Sequence, residues 1–165
     1  MKIVGLVGRK WSGKTSAARH LEANHPGLVH RDSLASPIKE YVVNIFGPLE
    51  ETPKPVLRPV MQTLGEALKQ KFGNEIFLNM LKDRIELNAP QSDLVVIDDI
   101  RFPFEADWVR SSGGTVVRII RPSTDDSGDG HTSETSVDRV APHITLINDA
   151  SEEAFLTKVT NTLLL

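Results

Sequence analysis

Short β-branched runs alternate along the chain with longer stretches whose apolar residues recur every three or four positions. That alternation predicts an α/β fold built on a mostly parallel sheet. Ile3–Val7 reads as the first strand, followed by a glycine-rich turn and a helix over Ser16–Asn24 that ends at His25-Pro26-Gly27. Leu28–Arg31 is a second strand. Pro37–Phe46 is helical, with Ile38, Val42, Ile45 and Phe46 at helical spacing. Gly47–Pro59 carries four of the ten prolines and is expected to be loop, up to a helix starting near Pro59. Val60–Phe72 and Glu75–Leu87 are two further helices, parted by Gly73-Asn74. Leu94–Ile97 is an apolar strand bounded by Ser92-Asp93 and Asp98-Asp99. Phe104–Ser112 is a helix, and Thr115–Ile120 and Ile144–Ile147 complete five strands. Ser151 is placed to cap the last helix, with Glu152 and Glu153 complementing its dipole.

One segment has no periodicity. Pro122–Thr135 is polar throughout and reads as a long surface loop, a length usually associated with function. Asp125, Ser127, Asp129 and Gly130 resemble part of a calcium loop, but Ser136 stands where the closing glutamate belongs and no helix leads in from Arg121-Pro122. Calcium is therefore not expected there.

Composition narrows the class. The 165 residues are 39% hydrophobic and 25% charged, an ordinary globular balance for one domain. The absence of cysteine excludes a disulfide scaffold, an iron–sulfur protein, a thiol nucleophile and a Cys-ligated zinc site. No apolar run is long enough to span a bilayer, and the N-terminus does not read as a signal peptide, so a cytoplasmic protein without a membrane partner is expected. A net charge of −3 leaves no basic footprint for duplex nucleic acid. A small anionic ligand is compatible with it, because a local pocket can be cationic in an acidic protein.

Gly8-Arg9-Lys10-Trp11-Ser12-Gly13-Lys14-Thr15 matches G-x-x-x-x-G-K-[ST] in full, with a strand before it and a helix after it. Gly8 and Gly13 let successive N–H groups turn inward on phosphates, and the positive end of the following helix points at the same oxygens. Lys14 should reach the β- and γ-phosphates, and the Thr15 hydroxyl should ligate Mg²⁺. Lys10, Trp11, Ser12 and Ser16 complete the expected ATP-binding stretch, with Trp11 either simply exposed or covering the nucleotide. The guanine-reading Asn-Lys-x-Asp of GTPases is missing. Leu94–Ile97 runs into Asp98-Asp99-Ile100-Arg101 rather than the Asp-Glu usual in motor ATPases. A small domain of this kind points to a kinase of small metabolites.

Arginines stand at element ends, where phosphate ligands are useful: Arg58 before a helix, Arg101 after a central strand, Arg118 and Arg121 at the end of another. Four blocks now resemble the phage deoxynucleoside monophosphate kinases: Gly8–Thr15, Leu34–Lys39, Arg58–Gly65 and Asp99–Ala106. A fifth runs from Gly113-Gly114-Thr115 through Arg121-Pro122 and His131-Thr132-Ser133-Glu134 to Ile147-Asn148-Asp149. The resemblance implies a P-loop NTPase fold of nucleoside monophosphate kinase type: a three-layer α/β/α sandwich with a five-stranded parallel sheet. It implies a single kinase domain over 1–165, with an acceptor-binding helical region at about 34–90 and a short lid at about 122–136. It implies ATP as donor, Mg²⁺, and a 5′-deoxynucleotide as acceptor, in a monomer or homodimer, in the host cytoplasm if phage-encoded.

Carried over by position, Lys39, Arg58 and Arg101 look like acceptor-site residues, with Asp99 beside Arg101, while Gln62 either reads the acceptor base or simply sits in the helix. Glu105, one helical turn past Arg101, either orients it or touches the nucleotide. Arg121, with Arg118, would neutralise the γ-phosphoryl group; Arg121 and His131 flank the lid, to which His131 and Glu134 are assigned. Asp32 follows the second strand, where related kinases place an acid near the metal or acceptor, so Asp32 or Asp98 would join Thr15 at Mg²⁺. Phe77 is expected in the core. Two alternatives stand beside this reading: another small-metabolite kinase on the same fold (dephospho-coenzyme A, phosphomevalonate or shikimate kinase-like), or a non-catalytic nucleotide-binding regulator. The regulator would show an exposed apolar patch, for which Leu163-Leu164-Leu165 is the only hint.

Overall fold

The β-branched segments form strands β1 (Lys2–Val7), β2 (Val29–Asp32), β3 (Leu94–Ile100), β4 (Thr115–Ile120) and β5 (Ile144–Ile147) in the computed structural model of the chain. The helices are α1 (Lys14–Asn24), α2 (Ser36–Phe46), α3 (Lys54–Phe72), α4 (Ile76–Asn88), α5 (Pro103–Ser111) and α6 (Glu152–Leu163). The structure describes residues 1–47, 54–122 and 136–164, and only the backbone of 54–56. The described residues form two compact units, Met1–Asp32 with Ala89–Leu165, and Ser33–Asn88.

All five strands lie in one parallel sheet in the order β2-β3-β1-β4-β5. Parallel strands need covering on both faces, which is why their cores are continuous apolar runs. On one face Val4, Leu6, Val29, Leu94, Val96, Val117, Ile119 and Leu146 pack against Ala17, Ala18 and Leu21 of α1 and Phe155 and Val159 of α6. The two alanines keep α1 thin where it meets the sheet. On the other face Gly5 has room only for hydrogen, since a Cβ there would lie 2.9 Å from Ile100 and 3.1 Å from Val109 of α5. The result is the expected α/β/α layering. Order in the sheet puts β1, and therefore the turn that follows it, at the centre, between β3 and β4.

In the second unit α2, α3 and α4 bury Val42, Leu57, Phe77, Leu78, Leu81 and Ile85. Gly65 lets α3 approach its neighbours, because a Cβ there would meet Ile38 at 3.2 Å and Phe77 at 3.9 Å. An Arg84–Glu40 ion pair at 2.7 Å ties α4 to α2.

Two expectations about elements need correction. The stretch before Pro59 is not all loop: α3 begins at Lys54 and carries Pro59 inside it. Pro55 falls in the first helical turn, where an N–H has no partner to lose. Pro59 forfeits one internal hydrogen bond, and burial of Leu57 to 3% exposure offsets that loss. Strand β3 also runs three residues beyond Ile97, because Val7 of β1 still pairs with Ile100. Asp98 and Asp99 therefore sit in a central strand rather than after it. Ser151 caps α6 as expected, its hydroxyl accepting from the Ala154 amide at 3.3 Å. Phe77 is buried, and Leu163 and Leu164 pack against the core of the sheet unit. Residues 123–135, with His131, Glu134 and the rejected calcium loop, lie outside the described residues, as does Leu165.

Candidate functional site

The turn after β1 is shaped by its two glycines. Gly8 has φ +157° and Gly13 +109°, and a Cβ at Gly8 would stand 2.3 Å from the Ile119 carbonyl oxygen. A Cβ at Gly13 would stand 2.7 Å from Asn148 Nδ2 and 3.1 Å from Phe155. Any side chain at either position would strain the backbone and fill the space the loop needs. Gly13 is the N-cap of α1 and no side chain caps that end, so the first-turn N–H groups are turned outward for an anion. Lys14 Nζ folds over the loop, donating to Gly8 O at 2.6 Å and Arg9 O at 2.7 Å, with Ser12 Oγ at 3.4 Å. Ser12 is buried, whereas Thr15 and Ser16 are exposed with free access to solvent. Trp11 stands at the crest, 70% exposed at φ +66°, with Lys10 Nζ 5.5 Å from its ring centroid.

The carboxyl ends of the neighbouring strands bring acids and arginines to the same edge of the sheet, the edge at which open α/β folds bind ligands. Asp32 ends β2 and is buried, paired in register with Ile97. Asp98 is 5% exposed, and Arg31 Nη1 donates to its Oδ2 at 3.1 Å. Arg31 also reaches Glu22 of α1, with Nε at 3.4 Å and its backbone amide at 2.9 Å. A buried carboxylate must be compensated, and Arg31 supplies the charge. Sequence reasoning missed this partner. Its signal was the alternation of β2, which puts Val29 and Arg31 on the α1 face.

Arg101 is exposed immediately after β3. Glu105 is buried, and its Oε2 accepts from the Arg101 amide at 2.7 Å and the Phe102 amide at 3.0 Å. The carboxylate thereby ties down the backbone of the turn that carries Arg101. Glu105→Ala is expected to cost roughly 1–2 kcal/mol of stability, the loss of a helix-terminal acceptor shared by two backbone amides. Glu105→Gln should recover part of it, since its amide oxygen still accepts. A urea midpoint for E105A equal to that of the unaltered protein would contradict this role.

Arg121 is exposed after β4. Arg118 is turned to structure instead: Nη2 donates to Val137 O at 2.9 Å and Val140 O at 2.5 Å, holding the 3₁₀ turn Val137–Arg139 against β4. Arg9 of the loop pairs with Asp138 of that turn at 3.0 Å. These groups line a cleft of about 80 Å³ bounded by Gly8, Arg9, Arg118 and Val137. In the helical unit, Arg58 and Gln62 are exposed one turn apart on α3, and Lys39 Nζ donates to Ser33 Oγ at 3.3 Å.

No group of three His, Cys, Asp or Glu side chains fit to hold a metal occurs among the described residues. A hard cation at a nucleotide site takes one or two protein oxygens together with the phosphates of its nucleotide. Thr15 and Asp98 are oxygen donors of that kind, and the cradle that a Cβ would fill at Gly8 and Gly13 suits the phosphates.

A sequence model of the deoxynucleotide monophosphate kinase family matches residues 49–159. The chain is 28% identical, over 96% of its length and 94% of the relative's, to a protein of Acanthamoeba polyphaga mimivirus provisionally named deoxynucleotide monophosphate kinase. It is also 28% identical to the deoxynucleotide monophosphate kinase of Enterobacteria phage T4, over 65% of this chain and 45% of that protein. Among solved structures, dephospho-CoA kinase from Campylobacter jejuni aligns with a TM-score of 0.54 at 12% identity, covering 99% of this chain and 96% of the other. Mycobacterium tuberculosis APS kinase, in complex with AMPPNP and APS, aligns with the same TM-score of 0.54 at 16% identity, over 99% and 98%. Shikimate kinase from Aquifex aeolicus gives 0.52 at 15% identity, over 98% of each chain. At such identities these structures speak to the fold alone.

Proposed function

Since the chain belongs to the deoxynucleotide monophosphate kinase family, and is therefore a kinase, we propose that it transfers the γ-phosphoryl group of ATP to a deoxynucleoside 5′-monophosphate. The products are the deoxynucleoside diphosphate and ADP. The observation that carries this reading is the phosphate cradle at the centre of a parallel sheet, with Lys14 over its carbonyls. The cradle lies outside residues 49–159, so the loop and the family match support the reading separately.

Family membership implies ATP as co-substrate and, as is usual for such kinases, Mg²⁺. The amides of residues 8–15 and Lys14 bind the β- and γ-phosphates, with Lys10, Trp11, Ser12 and Ser16 completing the donor side. Thr15 and Asp98, or Asp32 in place of Asp98, would hold the cation, which when bound neutralises charge on the phosphate oxygens. Arg101 grips the acceptor phosphate in the bidentate manner that guanidinium allows. Lys39, Arg58 and Gln62 of the helical unit are acceptor-binding residues, as is Asp99. Arg121 completes the donor side over the γ-phosphoryl group, and His131 and Glu134 are assigned to the lid.

An acceptor phosphate oxygen attacks the γ-phosphorus in line as the bond to the β–γ bridging oxygen breaks, and ADP leaves. The attacking oxygen is already anionic, so no strong base is needed. The protein's work is positioning and charge neutralisation. Acceptor-dependent ADP release tests the reading, across the four common dNMPs including dTMP, their ribonucleotide counterparts, dephospho-coenzyme A, phosphomevalonate and shikimate. Turnover with a deoxynucleotide supports it, and turnover confined to a non-nucleotide acceptor overturns it.

A further inference from the structure

Asn148 immediately follows β5 and stands 136 positions along the chain from Ser12, yet its side chain reaches the loop's backbone. Its Nδ2 donates to Ser12 O at 3.0 Å. Its own amide donates to Ile120 O at 2.7 Å, so the group is anchored to the end of β4 rather than hanging from an unsupported strand end. The same Nδ2 and the Phe155 ring wall off the space beside Gly13, where a Cβ would meet them at 2.7 and 3.1 Å. Asn148 thus touches the loop at the peptide that joins Ser12 to Gly13, one residue before Lys14.

That peptide is trans, like every other described one. In a planar trans peptide the carbonyl and the N–H point in opposite directions. Holding Ser12 O toward Asn148 therefore turns the Gly13 N–H away from it. We propose that Asn148 is a positioning residue for the phosphate loop, fixing the plane of the Ser12–Gly13 peptide so that the Gly13 N–H faces the nucleotide's phosphates. The assignment rests on the nucleotide-binding reading above and adds to it the residue that keeps the cradle in shape. A carbonyl only accepts, so the partner must present a donor, N–H or O–H, which an amide side chain supplies and a carboxylate does not.

The test is binding of a non-hydrolysable ATP analogue with Mg²⁺ by calorimetry, with thermal midpoints measured in parallel. The variants are Asn148→Ala, Asn148→Asp and Val159→Ala. Val159 is a fully buried residue of α6 in the core cluster that also holds Phe155, outside the loop in sequence, and it serves as the control for destabilisation. N148A is expected to raise the analogue's Kd about fivefold, the worth of one neutral hydrogen bond. N148D should raise it more than about tenfold, because a carboxylate repels both the carbonyl and the polyphosphate. V159A should lower the midpoint while leaving Kd within about twofold. The KM for the acceptor should stay within about twofold in N148A and N148D, which separates loop positioning from general damage. If N148A is too unstable to assay, Asn148→Ser, which retains a shorter donor, takes its place and should fall between N148A and the unaltered protein. An unaltered protein that binds the analogue, beside an N148A or N148S variant that binds it equally well, would overturn this assignment alone. An unaltered protein that binds no analogue would overturn the nucleotide reading and this assignment with it.

Discussion

Lys14→Ala is expected to abolish acceptor-dependent ADP formation, with a fall in kcat of about 10²–10³-fold or more, the cost of deleting a preorganised group that stabilises developing charge. The reason is visible in the loop. Lys14 is the first residue of α1, so its stem emerges where the helix's positive end already favours an anion. Its ammonium is within 2.7 Å of two loop carbonyls, which places a full positive charge inside the curve of the backbone. On the proposed reading, an ammonium held there would neutralise the charge that the β–γ bridging oxygen gains as its bond to the γ-phosphorus breaks. Removing it also removes hydrogen bonds that help shape the loop, so thermal midpoints must accompany the kinetics. Lys14→Arg is the informative companion, since it keeps the charge but not the compact geometry. Undiminished turnover in a folded K14A variant would show that the loop is not the donor site.

Arg101→Ala should lower kcat/KM for the acceptor by at least about tenfold, equivalent to about 1.4 kcal/mol of transition-state stabilisation, with the KM for ATP unchanged. Arg101 is exposed at the carboxyl end of the central strand β3, and its backbone is held by Glu105 rather than left to a flexible turn. A guanidinium presented from a fixed backbone loses less freedom on gripping a phosphate. Arg101→Lys should recover little, because a single ammonium does not reproduce a two-pronged contact. An equal loss of ATP affinity in R101A would put Arg101 on the donor side instead.

Much of the fold was legible because the strands are parallel and buried, which makes them short apolar runs that periodicity finds readily. β4 and β5 fall where the pattern puts them, and the cap at Ser151 is the one expected. The misreadings have a common cause, since tertiary partners override local preference. Pro59 is helical because Leu57 is buried beside it, and Asp98 and Asp99 are in β3 because β1 continues to pair alongside. The phosphate loop was legible in full, being a local motif whose glycines and lysine act within eight residues. The contacts that support it were not. Asn148 on Ser12, Asp138 on Arg9 and Arg31 on Asp98 each join positions at least sixty residues apart, and no local pattern encodes such distances. Glu105 lies between these cases: its spacing from Arg101 suggested a link, and the contact found is to the Arg101 backbone amide.

The central claim is phosphoryl transfer to a deoxynucleotide, and identification of the product tests it most directly. The protein is incubated with ATP, Mg²⁺ and each deoxynucleoside monophosphate in turn, and the nucleotides are separated and quantified. A deoxynucleoside diphosphate appearing in step with ADP, one for one, is the expected result. ADP formed without any deoxynucleoside diphosphate, or no consumption of ATP with any of the deoxynucleotides, would contradict it.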